Sequence, residues 1–177
     1  MRRAHDSVVT VGIPRQSAAD NARSATADAH FSETQYALDG GASRQNYLAD
    51  RRTLQAALDQ LYALPTNAID KPLVAAIRSA VARFDDGDVV LWRLIQTHNS
   101  KAARQLVDGS QNDAADALIA ALVADQKSAA ADVAAQTAEF NTRASSSRLL
   151  MIVVGFGRVL GCRGDWLGDH SAAVAWS

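Results

Sequence analysis

Apolar residues recur at the three- and four-residue spacing of an α-helix through most of this chain, and no segment sustains the alternation of a β-strand. The first predicted helix covers residues 16–38. Its apolar stripe consists of Ala18, Ala22, Ala25, Ala29 and Tyr36. The sequence DGGAS follows, in which Gly40 is predicted to stop the helix in a left-handed conformation and Ser43 to cap the next one.

The second and third predicted helices follow the same spacing. The second ends before Pro65, because proline disfavours helical geometry in the preceding residue, and its apolar face consists of Tyr47, Leu54, Leu58, Leu61 and Tyr62. The third starts near Ala68, with Pro72 tolerated in its first turn. Its apolar positions are Ile69, Leu73, Ile77, Ala80, Val81 and Phe84, then Leu91, Leu94, Ile95 and Ala102. Because the apolar positions before and after Gly87 fit the same face of one helix, a single long helix with a weak point at Gly87 is predicted.

The fourth predicted helix follows a break at VDGSQND, with Gly109 as the stop and Ser110 as the cap. Its apolar positions are Leu118, Ile119, Leu122, Ala129, Val133 and Phe140. The segment runs without glycine or proline to Val154, which makes it much longer than a typical globular helix. The predicted fold is therefore all-α: an antiparallel up-down-up-down four-helix bundle over residues 16–147 whose long fourth helix enters a truncated transmembrane segment.

An apolar run at residues 149–157 continues the fourth helix. An arginine before such a run is a normal flank at a membrane surface. The predicted entry into the membrane consists of Arg148, Leu149, Leu150, Met151, Ile152, Val153 and Val154. A complete span needs about 20 apolar residues, and this run is shorter, so residues 148–162 are predicted to be a truncated transmembrane helix.

Composition narrows the functional classes. The 177 residues are enough for one domain, and 48% of them are apolar but only 6% aromatic, which favours closely packed helices. A net charge of −1 argues against non-specific nucleic-acid binding. A single cysteine excludes an intrachain disulfide and a cysteine-based zinc site. Residues 1–15 contain no apolar stretch typical of a signal peptide and are predicted to be an irregular remnant.

Three stretches of residues 16–156 resemble a known family. They are FSETQYALDGGASRQNYLADRRTLQAALDQL, AVARFDDGDVVLWRLIQTHNSKAARQLVDGS and LIAALVADQKSAAADVAAQTAEFNTRASSSRLLMIVVG. The chain resembles the four-helix-bundle ligand-binding region of bacterial methyl-accepting chemotaxis receptors, which also occurs in histidine kinases and diguanylate cyclases. The resemblance implies a sensor outside the cytoplasm whose fourth helix continues into a transmembrane helix, a HAMP linker and a cytoplasmic output domain.

The chain departs from the family pattern at both ends. The first transmembrane helix expected before Gln16 is missing, the second is cut short near Gly157, and no HAMP or output segment follows. The sequence therefore resembles a receptor fragment. Composition changes abruptly after Gly157, and residues 163–177 are predicted to be a disordered tail. A frame shift in the gene is one hypothesis for this tail. Reading the back-translated gene one base forward from the Cys162 codon permits the protein sequence AVAIGLAITRRL, which would be the end of a membrane helix followed by basic residues.

Candidate binding residues are few. Arg51, Arg52 and Arg93 are predicted to present guanidinium groups to a carboxylate ligand between helices or protomers, although exposed helical arginines are the commoner alternative. Asp85, Asp86 and Asp88 lack the ligand spacing of an EF-hand and are predicted to form a solvated kink. His98 falls near the apolar face, which predicts a buried or interfacial side chain. No catalytic motif, metal site or cofactor is expected.

The pattern as a whole predicts a non-catalytic sensory input domain of a membrane receptor. Its partners are expected to be a second copy of the chain, the membrane and an unidentified small molecule or protein, with no nucleic acid. A displacement of the bundle helices would pass through the long fourth helix to the output domain. The alternative is a soluble α-helical interaction module with no membrane role.

Overall fold

The computed structural model describes residues 12–65 and 71–161, with side-chain environments up to residue 143. Helices account for nearly all of these residues, and strands for none of them. The helices are α1 (Ile13–Leu38), α2 (Arg44–Ala63), α3 (Lys71–Gln96), α4 (Ser100–Leu106) and α5 (Asn112–Gly161). A wide five-residue turn, Val107–Gln111, joins α4 to α5. The predicted all-α class is confirmed, and the described residues form four long helices and one short one.

Packing places α1 between α2 and α5, while α3 packs on α5 and reaches α2 through long side chains. The contacts between α2 and α3 follow the two helices in opposite chain directions. They join Arg44 to Asp88, Arg51 to Asp85 and Tyr62 to Arg78. Arginine side chains therefore fill a gap between α2 and α3 that is wider than the gaps around α1.

Most of the apolar positions predicted from sequence form the core, but Phe140 on α5 is 41% exposed and lies outside it. All five predicted positions of the first helix are buried, and so are Leu54, Leu58 and Leu61 on α2. Small residues on α1 allow its neighbours to approach closely, whereas larger side chains from the other helices fill the centre. The largest fully buried apolar side chains are Tyr36, Tyr47, Phe84, Leu54, Leu58, Ile77, Leu91, Leu118 and Leu122.

The turns confirm two predicted stops. Gly40 and Gly41 have φ values of 70° and 99°, and the N–H of Gly41 donates to the carbonyl oxygen of Tyr36 at 2.7 Å. This geometry closes the carboxyl end of α1. Leu64 is extended before Pro65, as expected. Ser43 lies at the cap position of α2, but its hydroxyl donates to Asp39, and its oxygen does not accept a capping bond from an α2 N–H group.

The prediction of a single third helix weakened at Gly87 is wrong. Helix α3 continues through Gly87 and ends at Gln96, and His98 then has a φ of 56°. Asn99 caps α4 by accepting from the N–H of Ala102 at 3.3 Å. His98 is exposed in this turn, so of the two predicted environments the buried one is wrong, and the interfacial one stays a prediction.

Helix α5 extends beyond the other helices. Its buried side chains end at Ala129, and most side chains from 134 to 143 are exposed. Within the described residues, no helix has a stretch that is both long enough and apolar enough to cross a membrane. The predicted membrane entry at 148–154 lies on the backbone of α5, and its side chains are outside the described residues. Residues 1–11, residues 66–70 and the predicted tail 163–177 are outside them too.

Candidate functional site

The structure brings two of the three predicted ligand-binding arginines together. Arg51 and Arg52 line a shallow groove of about 540 Å³ on α2, which we call the α2 groove. Its other lining residues are Gln45, Leu48 and Gln55. Arg93 is exposed in the last turn of α3 and does not line this groove. The groove therefore combines two guanidinium groups with two side-chain amides over an apolar floor.

The two arginines of the α2 groove are held differently. Arg51 donates from Nε and Nη2 to the two carboxylate oxygens of Asp85, at 2.7 and 2.6 Å. Burial disfavours the charged form of Arg51, but its bonds to Asp85 outweigh burial and raise its pKa. Arg52 is exposed, and its Nε donates to the carbonyl oxygen of Leu48 at 3.0 Å. Arg52 is consequently the guanidinium that a dissolved anion can reach.

The acidic stretch of α3 is not the solvated kink that its sequence predicts. Asp85 pairs with Arg51, and Asp88 accepts from Nη1 and Nη2 of Arg44 at 3.1 and 3.2 Å. Asp86 is exposed, and 43% of the Asp85 side chain remains exposed beside its arginine partner. Two of the three carboxylates therefore connect α3 to α2, and the helix does not bend at this point.

An aromatic cluster surrounds the Arg44–Asp88 pair; we call it the Arg44 cluster, consisting of Tyr36, Arg44, Tyr47, Asp88 and Trp92. The guanidinium carbon of Arg44 lies 4.1 Å from the centre of the Trp92 ring and 5.1 Å from that of Tyr36. The Tyr36 hydroxyl donates to Asp88. Burial, with the nearby Asp88 charge, raises the pKa of Tyr36 and of Tyr47. Sequence reasoning missed this cluster, since its members come from three helices.

A second polar cluster lies in the core, where α1, α3 and the start of α5 meet. Glu33 is fully buried, and Nε2 of Gln111 donates to its Oε1 at 2.7 Å and to the carbonyl oxygen of Phe84 at 2.8 Å. A Cβ atom at Gly87 would lie 1.6 Å from Oε1 of Gln111. Gly87 is therefore required for the close approach of Gln111 and does not weaken α3.

An ion pair joins the beginning of α1 to the first third of α5. Nε of Arg15 donates to Oδ2 of Asp125 at 3.2 Å, and a second bond joins Nη2 to Oδ1. The exposed fractions of the two side chains are only 4% and 1%. This bidentate pair is the most deeply buried ion pair among the described residues.

The described residues contain no group of three or more His, Cys, Asp or Glu side chains placed to hold a metal ion. What the arrangement offers chemically is anion recognition at the α2 groove, from guanidinium and amide donors. The buried polar clusters instead connect helices to one another.

No family model matches the chain, and no curated protein matches it. Among solved structures, the chain is similar to a "Periplasmic sensor domain of sensor histidine kinase", with a TM-score of 0.69 and 23% sequence identity. The similarity covers 79% of this chain and 97% of that chain. At this identity the likeness establishes the fold. The resemblance to a helical sensor region found in histidine kinases is thus confirmed at the level of the fold.

Proposed function

We propose that this chain is the sensory input domain of a bacterial transmembrane signalling receptor, with the bundle outside the cytoplasm and no catalytic role. Its helices are proposed to form an antiparallel up-down-up-down bundle, which the opposed order of the α2–α3 contacts supports. The sensor fold of the similar structure supports the assignment to a receptor. The chemoreceptor type remains part of the proposal.

The observation that carries this proposal is the length of α5, which has 50 residues. Its first half packs on α1 and α3, and its second half leaves the bundle as a continuous helix towards the apolar run at 149–157. A rigid helix transmits a shift along its axis, whereas a flexible linker would absorb it. A change in the packing of α5 in the bundle would therefore move its far end.

Membrane fractionation of the tagged product of the complete gene locus tests this function. We expect the product to sediment with membranes and to resist extraction by high salt and carbonate, because an apolar helix is removed only by detergent. A tagged cytoplasmic protein from the same cells is the control. Complete recovery in the high-speed supernatant would contradict the receptor proposal and favour a soluble α-helical interaction module.

The proposed ligand is a small carboxylate bound in the α2 groove. A carboxylate is planar and accepts two parallel hydrogen bonds from a guanidinium, and Gln45 and Gln55 add amide donors at the ends of the groove. Arg52 is the reachable cation, and the neighbouring Arg51, already paired with Asp85, adds positive charge at the wall. Arg93 has no part in this proposed site.

Thermal unfolding in the presence of succinate or aspartate measures this binding. Ligand at ten times its Kd should raise Tm by about 3–6 °C, because it binds only the folded state. Arg52→Gln should abolish the increase, and Arg93→Gln is the matched control that should retain it. An unchanged increase in Arg52→Gln, or no increase with any carboxylate, would contradict the proposed site.

We further propose that the chain forms a homodimer through an exposed face of α1. Phe31 and Leu38 have exposed fractions of 64% and 59%, and they are two helical turns apart on the same side of α1. Large apolar side chains on one exposed face are typical of an interaction surface. A second copy could bury this face while leaving the α2 groove accessible.

A further inference from the structure

The buried carboxylate of Glu33 is contacted from several elements, and its charge is only partly compensated. Oε1 accepts from Gln111, and Oε2 lies 3.5 Å from Nδ1 of His30, one helical turn earlier on α1. Neither Oε2 nor this Nδ1 has a hydrogen-bond partner of normal length among the described residues. The other titratable groups that act on the pair are Tyr36 on α1, Tyr47 on α2, Asp88 on α3 and Asp116 on α5.

The charges nearby decide the protonation state of the His30–Glu33 pair. The carboxylates of Asp88 and Asp116 add negative potential, and Arg44 already bonds to Asp88. An ionised carboxylate in the core without a counterion is strongly disfavoured, because the interior cannot solvate its charge as water does. One proton shared between His30 and Glu33 removes this cost, since it leaves either an ion pair or two neutral groups.

We propose that His30 and Glu33 form a proton-binding site that controls the start of α5. Loss of the shared proton leaves Glu33 as an unpaired buried anion, which draws water into the core. Gln111 then loses its position between Glu33 and the carbonyl oxygen of Phe84. Because Gln111 is the last residue of the wide turn before α5, its release frees that turn from α1 and α3.

The geometry around Gln111 explains why this site acts on α5. The Gln111 side chain fills the space that a Cβ atom at Gly87 would occupy, so it lies directly on the backbone of α3. Its amide is the hydrogen-bonded connection from the wide turn to both α1 and α3. Gly109 in the same turn has a non-helical backbone, with φ −109° and ψ −106°. The two Gln111 bonds and the buried Val107 side chain therefore hold a turn whose backbone is not helical at Gly109.

The direction of the pH effect follows from the pKa shifts of His30 and Glu33. Contact with Glu33 outweighs burial and raises the pKa of His30 above 6.5, and burial raises the pKa of Glu33 above 4.5. Both groups bind a proton more tightly in the folded state. The stabilisation is therefore complete below the unfolded pKa values and is lost as pH rises through the folded ones. The turn should be well ordered at pH 6 and loosened at pH 8.5.

Hydrogen exchange of the full 177-residue chain tests the proposal. Mass spectrometry would follow peptides covering residues 107–116 from pH 6.0 to 8.5, with rates corrected for the intrinsic effect of pH. We expect protection to fall about fivefold or more across this range, since it reports local opening. Glu33→Gln, which carries no charge, should remove the pH dependence. His98→Asn, which replaces an exposed histidine, should retain it.

His30→Gln provides a second variant if Glu33→Gln does not fold. In this variant only Glu33 can bind the proton. Two coupled groups hold their last proton at least as tightly as one group does, so the pH midpoint of the loss of protection should move to a lower value. Constant protection in the wild type would overturn the proposal. So would an unchanged pH dependence in Glu33→Gln or an unchanged midpoint in His30→Gln.

Discussion

Asp125→Ala is expected to lower the free energy of unfolding by about 3–5 kcal/mol, the largest single effect that we predict. Removing the carboxylate leaves the guanidinium of Arg15 buried between α1 and α5 without its bidentate partner. Taking a bidentate carboxylate away from a buried guanidinium is far more costly than losing a surface contact. Urea unfolding followed by circular dichroism at 222 nm gives this free energy, provided that the m-value is unchanged.

Asp20→Ala is the matched control for Asp125→Ala. Asp20 pairs with Arg23 on α1, but both side chains are about half exposed, at 53% and 47%. This pair should contribute less than about 1 kcal/mol, because water replaces it readily. The double variant Arg15→Met with Asp125→Leu should recover much of the lost stability, since it removes both charges. Equal effects of Asp125→Ala and Asp20→Ala would show that Asp125 is hydrated in solution.

Asp88→Ala is expected to lower the free energy of unfolding by about 3 kcal/mol. The change removes the acceptor for Arg44 and for the buried Tyr36 hydroxyl in one step. Burial disfavours the charged form of Arg44, and its bonds to Asp88 outweigh burial and raise its pKa. Without Asp88, the guanidinium would remain over the Trp92 ring with only cation–π stabilisation.

Asp86→Ala provides the comparison on the same helix. Asp86 is exposed, so its removal should change stability by no more than about 0.5 kcal/mol. Comparing the loss of stability in Asp88→Ala with that in Asp86→Ala separates the contribution of the interhelical ion pair from the effect of removing any acidic residue from α3. Similar values for Asp88→Ala and Asp86→Ala would contradict the structural role assigned to the Arg44 cluster.

The helices themselves could be predicted with good accuracy, because apolar spacing reflects which face of a helix avoids water. The stripe from Ala18 to Tyr36 is buried as expected, and the stops at Gly40 and Pro65 follow from local backbone preferences. The break at His98 was missed, although a local signal exists. Asn99 is a strong helix-capping residue that indicates a new helix start. The apolar spacing continues across Asn99, however, and this spacing favoured a single long helix.

The candidate site was predictable only in part. Arg51 and Arg52 are neighbours in sequence and share the α2 groove, whereas Arg93 lies outside it on α3. The side chains of Asp85 and Asp88 were expected to be solvated, since an isolated acidic residue on a helix usually faces water. Their arginine partners lie 34 and 44 residues away, on a helix whose position beside α3 the sequence pattern does not specify.

The sequence by itself determined that the chain is helical, where α1 and α2 end, and most of the apolar positions that form the core. These features depend on backbone preferences and on spacing within one helix. Only the tertiary structure decided which charged residues are buried and what Gly87 does, because each depends on a residue far away in the chain. Glu33 and Gln111 are separated by 78 positions, and their contact exists only once three helices have packed. A buried polar group needs such a partner, and packing alone selects it.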